Sequence, residues 1–156
     1  MAKETQLNDI DQIGIVVKDI DDAMKHYESL GFGPFERYQP VYKSRELYGK
    51  PLSPDVVTIK IAMGQIGPIQ IELMQPVAEG THWMEFLKTH GEGINHLGFF
   101  VDDVEKAEAE MLEKGYKIVY RSRFTRPDGG FGGASYFDTD KIGGVLIEPI
   151  QRPPST

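Results

Sequence analysis

The stretch Ile10-Asp11-Gln12-Ile13-Gly14-Ile15-Val16-Val17-Lys18-Asp19-Ile20-Asp21-Asp22-Ala23 recurs, at a constant offset of 84, as Ile94-Asn95-His96-Leu97-Gly98-Phe99-Phe100-Val101-Asp102-Asp103-Val104-Glu105-Lys106-Ala107. A repeat of this length decides an architecture before any single element does. The match continues from Gly31 to Gly115, and Ile69-Gln70-Ile71-Glu72 answers Val145-Leu146-Ile147-Glu148 at an offset of 76. The first copy therefore carries eight more residues between its helix and its last strand (84 minus 76), expected in Tyr42 to Asp55.

Each copy opens with an alternating apolar run that reads as a strand, then an Asp-rich helix start, then a period near 3.6. Met24, Tyr27 and Leu30 share one helix face in the first copy; Val104, Ala107 and Met111 do so in the second. Each helix stops at a glycine suited to the left-handed position beyond a helix end. Val56 to Ala62, Gly133 to Phe137, Phe35 to Tyr42 and Tyr116 to Ser122 read as the remaining strands, and Thr81 to Thr89 as a connecting helix carrying Trp83, Phe86 and Leu87 on one side. The pattern is βαβββ twice. It predicts an α+β chain in which two modules, 9–76 and 93–151, joined by a helix over 81–90, form one curved mixed sheet and a single domain over 1–156. Arg152 to Thr156 is a Pro-rich tail.

Length and composition agree. The 156 residues, with 40% hydrophobic and 26% charged side chains, 17 Gly and 10 Pro, are globular proportions. The absence of cysteine removes disulfides, thiol nucleophiles and thiolate metal sites, so any metal must sit on oxygen and nitrogen. A net charge of -7, from 24 acidic against 17 basic residues, argues against nucleic acid or an anionic membrane as partner and favours a small molecule. No apolar run approaches the roughly 20 residues of a membrane span, and the start, Met-Ala-Lys-Glu-Thr-Gln, lacks the apolar core of a secretory signal, so a cytoplasmic location is expected.

Period-two alternation places Gln12, Gly14 and Val16 on one face of the first strand and His96, Gly98 and Phe100 on the matching face of its repeat. Glu72 shares a face with Gln70 and Met74, and Glu148 with Leu146 and Ile150. Each copy thus supplies one polar residue near the start of its first strand and one Glu in its last. The repeat pairs Gln12 with His96 and Glu72 with Glu148. If these faces line a shared concavity, four ligands converge. Two carboxylates balance a dication, while an imidazole nitrogen and an amide oxygen leave room for water or substrate. Octahedral Mn, Co, Ni or Mg fits this set better than a closed tetrahedral Zn site, though the choice of metal stays open.

The same residues resemble the vicinal oxygen chelate superfamily, whose members pair two βαβββ modules around a metal. Gln-Ile-Gly-Ile-Val-Val (12 to 17), His-Tyr-Glu-Ser-Leu-Gly (26 to 31), Ile-Glu-Leu-Met-Gln-Pro (71 to 76), Gly-Glu-Gly-Ile-Asn-His-Leu-Gly (91 to 98) and Gly-Gly-Val-Leu-Ile-Glu (143 to 148) are most similar to methylmalonyl-CoA epimerases, and the likeness spans Ile10 to Gln151. The resemblance puts the family's ligand positions on Gln12, Glu72, His96 and Glu148, and implies a homodimer acting on an acyl-CoA or other carbon acid. Two departures stand out. Gln at position 12, where epimerases have His, resembles some glyoxalase I enzymes, as does Arg126-Pro127-Asp128-Gly129-Gly130; yet Val16 stands where glyoxalase I carries the Arg that holds glutathione's carboxylate. The epimerases' second catalytic Glu, just before their third strand, has no clear match: Asp55 is nearest and Glu46 lies in the loop.

The expected chemistry is proton abstraction next to a carbonyl, the resulting enolate stabilised by a divalent ion. Glu148 is the first choice for base and Glu72 its pseudo-symmetric counterpart. Return of the proton to the other face gives epimerisation; return to the neighbouring carbon gives a lactoylglutathione lyase, the glyoxalase I outcome. A metal-free drug-binding protein is the rival from another class. An extradiol dioxygenase is disfavoured, because only His96 offers an imidazole among the ligand positions. Lys43, Arg45, Lys50, Arg121, Arg123, Arg126 and Lys141 are candidates to meet a phosphate or carboxylate. His26, His82 and His90 read as helix-surface residues.

Overall fold

The computed structural model describes residues 6–154. In chain order the elements are β1 (Gln12–Val16), α1 (Ile20–Ser29), β2 (Glu36–Tyr38), β3 (Val41–Leu47), β4 (Lys50–Leu52), β5 (Ile59–Ile66), β6 (Ile69–Pro76), α2 (His82–Thr89), β7 (Gly93–Val101), α3 (Val104–Glu113), β8 (Ile118–Thr125), β9 (Phe131–Phe137) and β10 (Leu146–Gln151). The class is α+β. The order contains βαβββ twice, with the β3–β4 hairpin as the addition where surplus residues are expected. β5 begins at Ile59, later than the apolar run from Val56 suggests; Val56 and Val57 are exposed.

The repeat is written into the caps. Asp19 accepts from the Asp22 amide at 2.9 Å, and Asp103, 84 residues on, accepts from the Lys106 amide at 3.1 Å. Gly31 (φ 89°) and Gly115 (φ 91°) end the two helices in the left-handed region, which costs a residue with a Cβ. The first helical amide of α1, at Ile20, donates to Gln75 Oε1 at 2.9 Å, and that of α3, at Val104, to Gln151 Oε1 at 3.0 Å. Each last strand thus satisfies an orphan donor of its own module's helix.

The chain packs as two compact units. The first comprises residues 11–39 and 56–97. Its strand order begins β2-β5-β6-β1, with β1 parallel to β6 and the other pairs antiparallel. Val17, Ile20, Phe35, Ala62, Ile71 and Leu73 form its core under α1, each large aliphatic side chain contributing about 2 kcal/mol on burial. The second unit comprises residues 6–10, 40–55 and 98–154. It carries the antiparallel order β10-β9-β8-β3-β4, with Val104 and Ala107 of α3 packed against Val101 of β7. The hairpin belongs here because β3 hydrogen-bonds along β8 from Val41 opposite Thr125 to Leu47 opposite Tyr120. The division by repeat assigns 40–55 to module one; strand pairing groups it with the second copy.

Candidate active site

In the first unit, the parallel register of β1 and β6 sets Gln12 beside Gln70 and Gly14 beside Glu72. Gln12 Nε2 donates to Gln70 Oε1 at 2.7 Å, which turns the other amide atom, Oε1, toward His96. His96 Nε2 stands 2.7 Å from Gln12 Oε1 and 3.2 Å from Glu72 Oε2. The three residues are 3%, 0% and 7% exposed for Gln12, His96 and Glu72. The imidazole lies over Gly14: a Cβ there would meet His96 Cε1 at 1.9 Å, so the strand must be bare at this position for the ring to reach the others.

This arrangement fits a divalent cation. An amide oxygen, an imidazole nitrogen and a carboxylate oxygen, each with a lone pair to give, meet around one point in a dry setting. A proton on Nε2 is shared between two oxygens, whereas a cation serves all three atoms. The set contains one His and one carboxylate, and among the described residues no cluster of three His, Asp or Glu forms a metal site; the amide is what completes it.

Helix α2 packs on β1 and β6 and brings in a residue that sequence reasoning places on the surface. His82, capped from Thr81, is buried beside Trp83, their ring centroids 4.0 Å apart. Its pKa is lowered to about 3, first by burial and second by the nearby His96. The only available signal was its position one turn before Phe86. His26 and His90 are exposed as expected.

The sign of the resulting pH dependence follows from linkage. Below pH 6.5 the unfolded chain binds a proton at His82 that the folded chain refuses until about pH 3, so stability falls with acidity between those values. Denaturant midpoints taken from pH 7 down to pH 4.5 are expected to decline, this group contributing up to about 1.4 kcal/mol per pH unit. His82→Leu should flatten the acid limb by about that slope. An unaltered limb in the variant would show an imidazole in contact with water.

Glu148 lies in the second unit, buried on β10. The register that puts Ile147 opposite Phe137 and Ile150 opposite Ala134 puts Glu148 opposite Tyr136, and Tyr136 faces Tyr120 on β8. Beside that row, Arg45 pairs with Ser122. Arg45 is buried, donates to the Ser53 carbonyl at 2.5 Å and sits 4.2 Å from the Tyr42 ring centroid. Burial raises the Tyr120 hydroxyl above its ordinary pKa; Arg45 and Tyr42 oppose that shift and the Glu148 carboxylate adds to it.

The other sheet face in this unit is used differently. Glu108 of α3 receives Arg123 and the Ser135 hydroxyl, with Arg121 Nε 3.3 Å from its second oxygen. Arg121 and Arg123 are thereby committed to a buried carboxylate, and Arg126 pairs with Asp128 at 2.9 Å. Lys43, Lys50 and Lys141 are exposed, as are Asp55 and Glu46, the two residues nearest to a second catalytic acid. One groove of about 520 Å³ in the first unit, lined by Ile15, Asp19, His26 and Glu92, and one of about 420 Å³ in the second, lined by Arg126, Phe131 and Arg152, contain none of the predicted donors.

Residues 11–133 match the family described as the Glyoxalase/Bleomycin resistance protein/Dioxygenase superfamily. The chain belongs to that superfamily. Among solved structures, it is similar to the methylmalonyl-CoA epimerase of Mycobacterium tuberculosis, with a TM-score of 0.68 and 25% identity over 99% of this chain and 94% of that one. A variant of the Streptomyces coelicolor methylmalonyl-CoA epimerase, in complex with 2-nitronate-propionyl-CoA, shares the fold at a TM-score of 0.68 and 23% identity, covering 95% and 99% of the two chains. The uncharacterized protein YqjC of Bacillus subtilis (strain 168) is 22% identical over 142 residues, 91% of each chain. The doubled βαβββ order is the glyoxalase-like α+β fold. No helix among the described residues is long and apolar enough to cross a membrane.

Proposed function

We propose that this superfamily member is a metal-dependent isomerase that removes and returns a proton next to a carbonyl, an epimerase of the methylmalonyl-CoA kind. The observation that carries the reading is the approach of Gln12 Oε1 and Glu72 Oε2 to 2.7 and 3.2 Å from His96 Nε2, with the strand left bare beneath the ring. A divalent ion bound there supplies positive charge for an oxygen that turns negative as the adjacent carbon is deprotonated. Gln70 fixes the amide of Gln12 so that its oxygen, not its nitrogen, is offered. Burial keeps competing water away, which strengthens each electrostatic contact. Glu148 enters as the acceptor of the substrate proton; its support is the repeat, in which it is the counterpart of Glu72. The likeness to epimerases that act on acyl-CoA supports a 2-substituted acyl thioester as substrate.

A lactoylglutathione lyase is less well supported, because the position at which glyoxalase I holds glutathione carries Val16, wholly buried in the fold. Two measurements test the reading. Protein purified without chelators is expected to contain a divalent ion and to gain melting temperature with added Mn or Co, by an amount near 2.7 kcal/mol of stability at a hundred times the dissociation constant. Acyl thioesters incubated in deuterium oxide are expected to exchange the hydrogen beside the carbonyl, followed by NMR. An ion-free protein indifferent to added metal would favour a simple binding protein, and the absence of exchange with every methylmalonyl-type thioester would end the epimerase reading.

A further inference from the structure

The turn between β8 and β9 is built around one guanidinium. Arg126 donates from Nε and Nη2 to the two oxygens of Asp128 at 3.1 and 2.9 Å, and from Nη1 to the Phe131 carbonyl at 2.5 Å. The backbone closes beneath it: the Arg126 amide donates to the Gly130 carbonyl at 2.9 Å and the Gly129 amide to the Arg126 carbonyl at 2.8 Å. Gly130 must be bare for this, because a Cβ there would fall 2.2 Å from Nη2. A long side chain is thereby fixed in one conformation and left 13% exposed, its ordering cost met by the turn instead of by a ligand. Three of its five N–H donors are engaged, and among the described residues the others meet no acceptor.

Arg126 lines the groove of about 420 Å³ in the second unit, with Gly130, Phe131, Gln151, Arg152 and Asp102 in the same walls. That volume is within the range of small-molecule sites. Phe131 shares a strand face with Gly133 and Ser135, and Ser135 bonds Glu108 of α3, so the groove lies on the helix side of the sheet. Glu148, opposite Tyr136, is on the other side. Arg152 enters from the C-terminal end, held by the Phe100 carbonyl at 3.0 Å and by Asp102 at 3.2 Å. Its remaining N–H donors are also unspent among the described residues. Each guanidinium is thus braced by one carboxylate that is mostly in water, 60% exposed for Asp128 and 90% for Asp102, where solvent screens the charge. Between the two arginines stands the half-exposed ring of Phe131. The groove of the first unit is the contrast: Asp19, Asp22 and Glu92 outnumber Lys18 in its walls, so it offers an anion nothing.

We propose that the groove beside Arg126 is a binding site for a flat aromatic ring that carries a phosphate, of mononucleotide size. The phosphate accepts from the unspent N–H groups of Arg126 and Arg152, whose planar forks suit its oxygens. The ring stacks on Phe131, an interaction that any base can make. Occupancy leaves the Glu148 face of the sheet open, so the bound group is not the reacting one. The site stands whether or not the protein is an epimerase, since none of its residues belongs to the candidate metal centre.

Amide NMR of the isotope-labelled full chain tests this. AMP is expected to shift the Gly129, Gly130 and Phe131 amides and to saturate them at about 1 mM or below, with adenosine and inorganic phosphate each at least tenfold weaker. Arg152→Met leaves the Arg126 turn untouched, and Phe131→Ser keeps the carbonyl to which Arg126 donates; each should weaken AMP at least tenfold while the free variant keeps the wild-type positions of the Gly129 and Gly130 amides. Arg126→Lys, which retains the charge and loses the fork, should do the same to affinity. Coenzyme A distinguishes the source of the group: binding at least threefold tighter than AMP makes the groove the nucleotide end of a thioester site, and anything weaker makes it a site for a free mononucleotide. No saturable shift at these amides would overturn the proposal. So would adenosine or phosphate binding as well as AMP, or AMP binding unchanged in both Arg152→Met and Phe131→Ser.

Discussion

Glu148→Gln is expected to lower deuterium exchange at the substrate carbon by about a thousandfold, within the range of a hundredfold to ten-thousandfold that positioned acid–base groups contribute. The substitution keeps the shape of the side chain and deletes the basic site. Glu148 is buried on β10 opposite Tyr136, between Leu146 and Ile150 on its own face, so a neutral amide of the same size fits the pocket that the carboxylate occupies. The melting temperature should therefore stay within a few degrees of wild type, which separates a chemical loss from unfolding. Glu72→Gln gives the comparison. Glu72 stands against His96 in the first unit, so its substitution should reduce the response of melting temperature to Mn or Co before it reduces anything else. If Glu148→Gln exchanged within tenfold of wild type, the base would have to be sought elsewhere.

The repeat makes much of this legible from the residues alone. An offset of 84 places the caps at Asp19 and Asp103 and the helix-ending glycines at Gly31 and Gly115, because equivalent backbone conformations demand equivalent side chains. It also points to the candidate donors. A polar residue on the inward face of an otherwise apolar strand is costly unless it is satisfied or used, and Gln12, Glu72 and His96 satisfy one another. Less can be read where the partner is remote in sequence. Lys43 to Glu46 is polar at every position, so only the pairing of β3 with β8 reveals that Arg45 is inside while Lys43 and Glu46 are outside. Glu108 reads as one more charge on the α3 surface; Arg123 and Ser135, 15 and 27 residues away, are what allow it to be buried. His82 sits at a helix start with no periodic neighbour except Phe86, and its depth depends on where α2 lands on β1 and β6.

Gly14→Ala should disable the candidate metal centre without touching a donor. In an exposed strand such a change is mildly favourable, since alanine loses less backbone freedom than glycine, by roughly 0.5 to 1 kcal/mol. Here the new methyl would fall 1.9 Å from Cε1, 2.2 Å from Nδ1 and 2.5 Å from Nε2 of His96. The ring is wholly buried and has no solvent to retreat into. Overpacking of this kind costs about 2 kcal/mol, and any movement of the ring also pulls Nε2 away from Gln12 Oε1 and Glu72 Oε2. Three results are expected together: a net loss of stability, a melting temperature indifferent to Mn or Co, and exchange reduced at least a hundredfold. A double-mutant cycle with His96→Ala identifies the cause, because residues in contact couple by roughly 0.5 to 3 kcal/mol and distant ones do not. The alanine at position 14 should be costly beside the imidazole and nearly free once the imidazole is gone. An equal cost in both backgrounds would mean that the bare strand position serves something other than the histidine, and the three-donor centre would lose the feature that makes room for it.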